Sequence, residues 1–109
     1  MTTVTFLTEE SRIVGFEVSG HSGYADAGED IVCAAVTSAV RLVEATVNDV
    51  MGLCAAVKVN AQEAVITLHL PGGLASDAES TCQNLLTGLM VYRAQLHDEY
   101  PDNIEVMEA

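Results

Sequence analysis

The chain has no tryptophan, and only 5% of its 109 residues are aromatic. Any core it builds must be mostly aliphatic. It is also short of cations, with four Lys and Arg against 16 Asp and Glu and a formal net charge of −12. A chain this acidic does not hold phosphate backbones by charge, which excludes direct nucleic-acid binding, and anionic membrane surfaces repel it. It attracts basic partners instead, although the charge can equally serve solubility alone. Its three cysteines lie far apart and show no CxxC or CxxH spacing. That argues against a disulfide scaffold or a zinc knuckle and for a reducing compartment. The first residues, Met1-Thr2-Thr3-Val4-Thr5-Phe6-Leu7-Thr8, lack the basic start and apolar run of a signal peptide. No segment reaches the roughly 18 uninterrupted apolar residues of a membrane span, and repeats, low-complexity tracts and linkers are absent. The expectation is one soluble, cytoplasmic domain over residues 1–109. Half its residues are hydrophobic, enough for a core without disulfide or metal.

What is present gives the order of elements. Val4 and Phe6 alternate with Thr3 and Thr5 at strand periodicity. Thr8-Glu9-Glu10-Ser11 turns the chain into a second strand over Arg12 to Ser19, and the two form a hairpin. A glycine-punctuated loop, Gly20 to Glu29, follows, and Asp30 suits the N-cap of a helix from Ile31 to Val50. That stretch is apolar nearly all round over three turns, which predicts a central, buried helix ending near Gly52. Ala55–Val59 and Ala64–Leu70 read as a second hairpin around Asn60-Ala61-Gln62-Glu63. Pro71-Gly72-Gly73 breaks it, and Ser76-Asp77-Ala78-Glu79 matches a capping box. Ala78, Cys82, Leu85, Leu86, Leu89, Leu96 and Tyr100 then recur at helical spacing, and this helix must end before Pro101. Ile104-Glu105-Val106 adds a last short strand. The order ββαββαβ predicts an α+β fold, a mainly antiparallel sheet packed with two long helices.

Chemistry concentrates at His21 and Cys33. With Asp30 as N-cap, Cys33 takes the third helical position, near unpaired backbone N–H groups at the positive end of the helix dipole. Such surroundings make a thiol more acidic than its ordinary value of about 8.5, and the thiolate is the reactive species. No Lys or Arg lies between Arg12 and Arg41, so the helix terminus and an imidazolium must supply the positive charge. His21 stands twelve residues upstream. Gly20, Gly23 and Gly28 give the loop freedom to fold His21 over the helix start, as general base or as ion-pair partner of the thiolate. The amides of Val32 and Cys33 are candidate oxyanion donors for acyl transfer. Asp30 either only caps the helix or also orients His21. A cysteine in an apolar helix also reads as a plain core residue, and a zinc site from Cys33, His21 and a third ligand follows no recognised spacing. Cys54 and Cys82, in apolar periodicity without a nearby His, read as core cysteines. His69 and His97 read as structural or solvated. A non-catalytic acidic binding module, and a thiol acyl transferase or redox protein, stand as alternatives to a hydrolase.

The stretch Gly20-His21-Ser22-Gly23-Tyr24-Ala25, followed by Gly28-Glu29-Asp30-Ile31-Val32-Cys33-Ala34-Ala35-Val36, resembles the signature of the Prp family of bacterial ribosomal-processing cysteine proteases. The likeness covers nearly the whole chain in length, element order, acidity and a Pro-Gly break before the last long helix, with no departure at the motif positions. It implies a single cysteine protease domain, with Cys33 as nucleophile, His21 as base and no cofactor. It implies a basic partner, a large-subunit ribosomal protein that reaches toward the peptidyl transferase centre and loses a short N-terminal extension. It further implies a homodimer and a mobile substrate loop that includes Gly20, Gly23, Tyr24 and Gly28. The acidity is compatible with that partner, since opposite net charges speed encounter, and with that partner the non-catalytic alternative is a ribosome-associated binding module.

Overall fold

The computed structural model describes residues 2–20, 27–60, 62, 65–102 and 104–108, and the side chains of all of these except 27–30 and 106–108. Its elements are β1 (Thr2–Glu9), β2 (Arg12–Ser19), α1 (Ala27–Glu44), a π-helical turn (Ala45–Val50), β3 (Ala56–Asn60), β4 (Val65–His69), α2 (Ser76–Glu99) and β5 (Ile104–Glu108). This is the expected α+β fold in the expected order. The sheet runs β3-β4-β2-β1-β5. Three pairings are antiparallel, and β5 joins β1 in parallel, with Thr2 opposite Ile104 and Phe6 opposite Glu108.

The β1–β2 hairpin turns through Glu10 and Ser11, whose φ angles of 51° and 67° are left-handed at both positions. Two such residues match the right-handed twist of the flanking strands. A bulge between Leu7 and Thr8 shifts the register, and the carbonyl of Val14 there accepts from the Leu70 amide at 2.8 Å. Gly15 sits where β4 comes closest. A Cβ at this position would collide with the Leu68 carbonyl oxygen.

One face of the sheet is apolar. Val4 and Phe6 alternate inward on β1 and meet Phe16 and Val18 on β2. The rings of Phe6 and Phe16 tilt at 56° with centroids 6.4 Å apart, which gives an otherwise aliphatic core its aromatic centre. From α1 and the π turn, Val32, Cys33, Val36, Val40, Val43 and Val47 pack inward at three- and four-residue spacing. From α2 come Cys82, Leu86, Leu89 and Leu96. Burial pushes the Cys82 thiol pKa up, with the Glu79 charge acting the same way.

Several local expectations are corrected. The first helix starts at Ala27, not Ile31, so Gly28 belongs to the helix and Asp30 is not its N-cap. That helix is also not buried all round. Ile31, Leu42 and Val50 are exposed, at 55%, 67% and 78%, because the sheet covers only one stripe. By length and composition Ile31–Val50 would suffice to cross a membrane, although polar and charged residues interrupt the run, and its inward stripe is packed on the sheet. The capping box at Ser76 does not form. Ala75 is the cap residue, without a side-chain bond, and the Glu79 carboxylate is taken by Arg12 in two parallel bonds of 2.6 and 2.9 Å. The neighbouring Gln83 side chain pairs with both the amide and the carbonyl of Ile13, at 2.8 and 2.7 Å. Together they fasten the N-terminal half of α2 to the start of β2. Cys54 is exposed rather than core, in a left-handed conformation with φ 57° after the π turn. The amide and carbonyl of Ala55 next to it are bound by the Asn48 side chain.

Candidate active site

The described part of the site lies where β1, β2 and α1 meet. Cys33 is the seventh residue of α1 and faces the sheet, 4% exposed. Its Sγ lies 3.2 Å from Oγ1 of Thr2, the first residue of β1, which is 1% exposed. Thr2 is the one polar residue on the inward row of that strand, which continues as Val4 and Phe6.

The predicted residues fare differently. His21, Gly23 and Tyr24 lie outside the described residues. The chain on either side of them is described, and it leads to Cys33 from both ends. Ser19 closes β2 opposite Thr3, the neighbour of Thr2. Gly20 follows with φ 83°, a left-handed angle that glycine adopts freely and that turns the backbone out of the strand. At the far end Ala27 opens α1 six residues before Cys33. His21 is therefore two residues in sequence from a strand end beside Thr2.

The oxyanion expectation changes with the helix start. Unpaired amides belong to the first four residues of a helix, which here are 27–30. The amides of Val32 and Cys33 lie beyond them, within the helical hydrogen-bond ladder, and the dipole argument made for a third-position thiol does not hold at the seventh position. Sequence reasoning also missed Thr2. Its signal was a threonine in phase with Val4 and Phe6, on the inward face.

A second feature lies elsewhere on the surface. A groove of about 760 Å³ runs between α1 and α2, lined by Ala35, Ala39, Leu42, Leu85, Gly88 and Tyr92 among others. Ala35 is two positions from Cys33, about 200° around the helix, so the groove does not open onto the sulfur. Among the described residues, no three His, Cys, Asp or Glu side chains are grouped as a metal site would need.

Comparison with known proteins is consistent in direction. The family model described as Cysteine protease Prp matches residues 1–105. The chain is 27% identical over 99 residues to the ribosomal processing cysteine protease Prp of Bacillus subtilis (strain 168), a stretch that covers 91% of this chain and 88% of that protein. Among solved structures, it superposes on the essential ribosomal processing protease Prp from S. aureus in complex with a substrate peptide. The TM-score is 0.85 at 16% identity, with 100% of both chains covered. It also superposes on the SMU.848 protein of Streptococcus mutans, with a TM-score of 0.85 at 18% identity, covering 99% of this chain and 93% of that one. At such identities the two structures speak for the fold.

Proposed function

Since the chain belongs to the cysteine protease Prp family and is a cysteine protease, we propose that it removes a short N-terminal extension from a basic large-subunit ribosomal protein. Cys33 is the nucleophile and His21 the general base. The observation that carries this reading is the convergence of the two chain ends around residues 21–26 on the strand end and helix that hold Thr2 and Cys33. The name of the Bacillus subtilis relative supports the ribosomal substrate, and the net charge of −12 supports a basic one. Membership in a protease family sets aside the non-catalytic binding module.

In this mechanism His21 takes the thiol proton and the Cys33 sulfur attacks the scissile carbonyl carbon. The tetrahedral intermediate collapses as His21 returns the proton to the leaving amine, which is the new N-terminus of the ribosomal protein. The extension stays on sulfur as a thioester. Water, activated by His21, releases it as a carboxylic acid and frees the enzyme. Asp30, inside the first turn of α1 rather than at its cap, orients His21. Gly20, Gly23 and Tyr24 form the substrate loop. Because Cys33 is 4% exposed, the substrate must displace what covers the sulfur before attack.

The protein works in the cytoplasm as a single-domain protease and a homodimer. The exposed apolar side chains at the α1–α2 groove, Leu42 at 67% and Tyr92 at 40%, support that face as the contact between subunits. The test of function is direct. Incubated with the extended ribosomal protein, the wild type releases a fragment that mass spectrometry detects, and Cys33→Ala and Cys33→Ser release none. Cleavage by Cys33→Ala at the wild-type rate overturns the mechanism.

A further inference from the structure

We infer that Thr2 is a positioning residue for the reactive sulfur, its hydroxyl donating a hydrogen bond to the Cys33 thiolate. This rests on the reading of Cys33 as nucleophile and extends it to the opposite wall of the site. Oγ1 and Sγ are 3.2 Å apart, within hydrogen-bond reach for sulfur, and both side chains are buried. Each is the other's one hydrogen-bonding side-chain partner among the described residues.

Position favours a specific role for the hydroxyl. The inward row of β1 is otherwise apolar, and valine has nearly the shape of threonine, so packing alone does not call for an oxygen here. A buried hydroxyl left unpaired is costly; this one is paired to the sulfur. Threonine is β-branched and stiff about χ1. Its backbone is held in β1, flanked on its two sides by β2 and β5, with Thr2 paired directly to Ile104. The donor is therefore presented from a rigid strand.

The direction of donation follows from valence. A neutral thiol and a hydroxyl can exchange roles. A thiolate has no proton and only accepts, so in the charged state Thr2 must be the donor. A bond whose donor is forced in the charged state and shared in the neutral one favours the charged state. Other charges around the sulfur are few among the described residues. β1 brings Thr2, Val4 and Phe6 inward, and α1 brings valines. The ionisable groups on the inward face of α2 are Cys82 and Arg93, and Arg93 stacks over Phe6, four residues along β1 from Thr2. The side chains of Asp30 and His21 lie outside the described residues.

The experiment titrates the thiolate by its ultraviolet absorbance near 240 nm. Spectra are taken as differences from the matching Cys33→Ala protein, so that Cys54 and Cys82 cancel. Thr2→Val should raise the Cys33 titration midpoint by about one to two pH units, the ratio of ten- to a hundredfold that a hydrogen bond to a charged group commands. Cleavage of the extended ribosomal protein should lose kcat by the same factor below the midpoint and recover it at higher pH, with KM unchanged. Thr2→Ser should restore both. If Thr2→Val fails to fold, Thr2→Ala removes the same oxygen with less bulk and is read in the same way. An unmoved midpoint in the folded variant overturns the inference, and so does a lowered one, which would mean that the hydroxyl holds the thiol protonated. The reading beneath fails separately. If Cys33→Ala cleaves normally, Cys33 is not the nucleophile, whatever the titration gives.

Discussion

Replacing Arg93 by methionine should make the protein more stable. The guanidinium lies on the inward face of α2, 1% exposed, 5.2 Å above the Phe6 ring centroid. Its Nε, Nη1 and Nη2 have no hydrogen-bond partner among the described residues. Burial lowers its pKa from the ordinary arginine value, the charged form being the one that desolvation penalises. An unsatisfied buried polar group costs about 1–3 kcal/mol, and more when charged. The cation–π contact returns about 1–2 kcal/mol. Methionine keeps an unbranched stem and a polarizable sulfur against the ring while removing charge and donors. The net gain should be about 1–3 kcal/mol, or a rise in Tm of roughly 4 °C or more, at about 4 °C per kcal/mol for a domain of this size. Arg93→Ala also removes the charge, but it leaves a void and should fall about 2 kcal/mol below the methionine variant. Urea and thermal denaturation followed by far-ultraviolet circular dichroism gives the answer, since the chain has no tryptophan to report by fluorescence. If Arg93→Met is less stable than wild type by about 1 kcal/mol or more, the guanidinium is paired and the reasoning fails.

Three further outcomes are expected. Gly15→Ala drives a Cβ into the Leu68 carbonyl and should cost about 1–3 kcal/mol by forcing β2 from β4; a urea midpoint equal to wild type would contradict that contact. Arg12 lowers the pKa of the Glu79 carboxyl chiefly through its hydrogen bond. The stabilisation from that pair is therefore fully present above the unfolded carboxyl value of about 4.3 and is lost as pH falls through the lower folded value. Glu79→Gln should accordingly be less stable than wild type at pH 7, and the gap in urea midpoints should close on acidification below about pH 4; a gap that persists in strong acid would contradict it. Leu42→Glu places a charge on the α1–α2 groove and should turn the proposed dimer into monomers in sedimentation analysis without changing the circular dichroism; an unchanged dimer would move the interface elsewhere.

The fold was legible where periodicity carried it. Val4 and Phe6 on one strand, Phe16 and Val18 on the next, and a helical run stopped by Pro101 are local patterns, and each became the element it suggested. The parallel docking of β5 against β1 was not legible, because no local pattern encodes which distant strand a short segment joins. Two missed features depend on tertiary contacts. Glu79 matches a capping box in sequence, yet Arg12, 67 residues away, forms the stronger, charge-assisted bond. Arg93 has no role legible in the sequence; it shares a helical phase with Leu86 and Leu89, but a charged side chain is ordinarily exposed, and its burial depends on the packing of α2 against the sheet. The apolar first helix misled in the other direction, since apolar character all round meant an uncovered face at Leu42 rather than burial. At the site, the Cys33 motif was readable, while the helix start at Ala27 and the contact with Thr2 depend on how α1 lies across β1.

The most direct measurement is the mass of the protein quenched in acid while it cleaves the extended ribosomal protein. An acyl-enzyme should appear, heavier than the free chain by the N-terminal extension less one water, and peptide mapping should place the added mass on Cys33. Both adduct and cleavage should vanish in Cys33→Ala. An adduct on Cys54 or any other residue, or undiminished cleavage by Cys33→Ala, would contradict a mechanism in which this buried sulfur is uncovered and attacks.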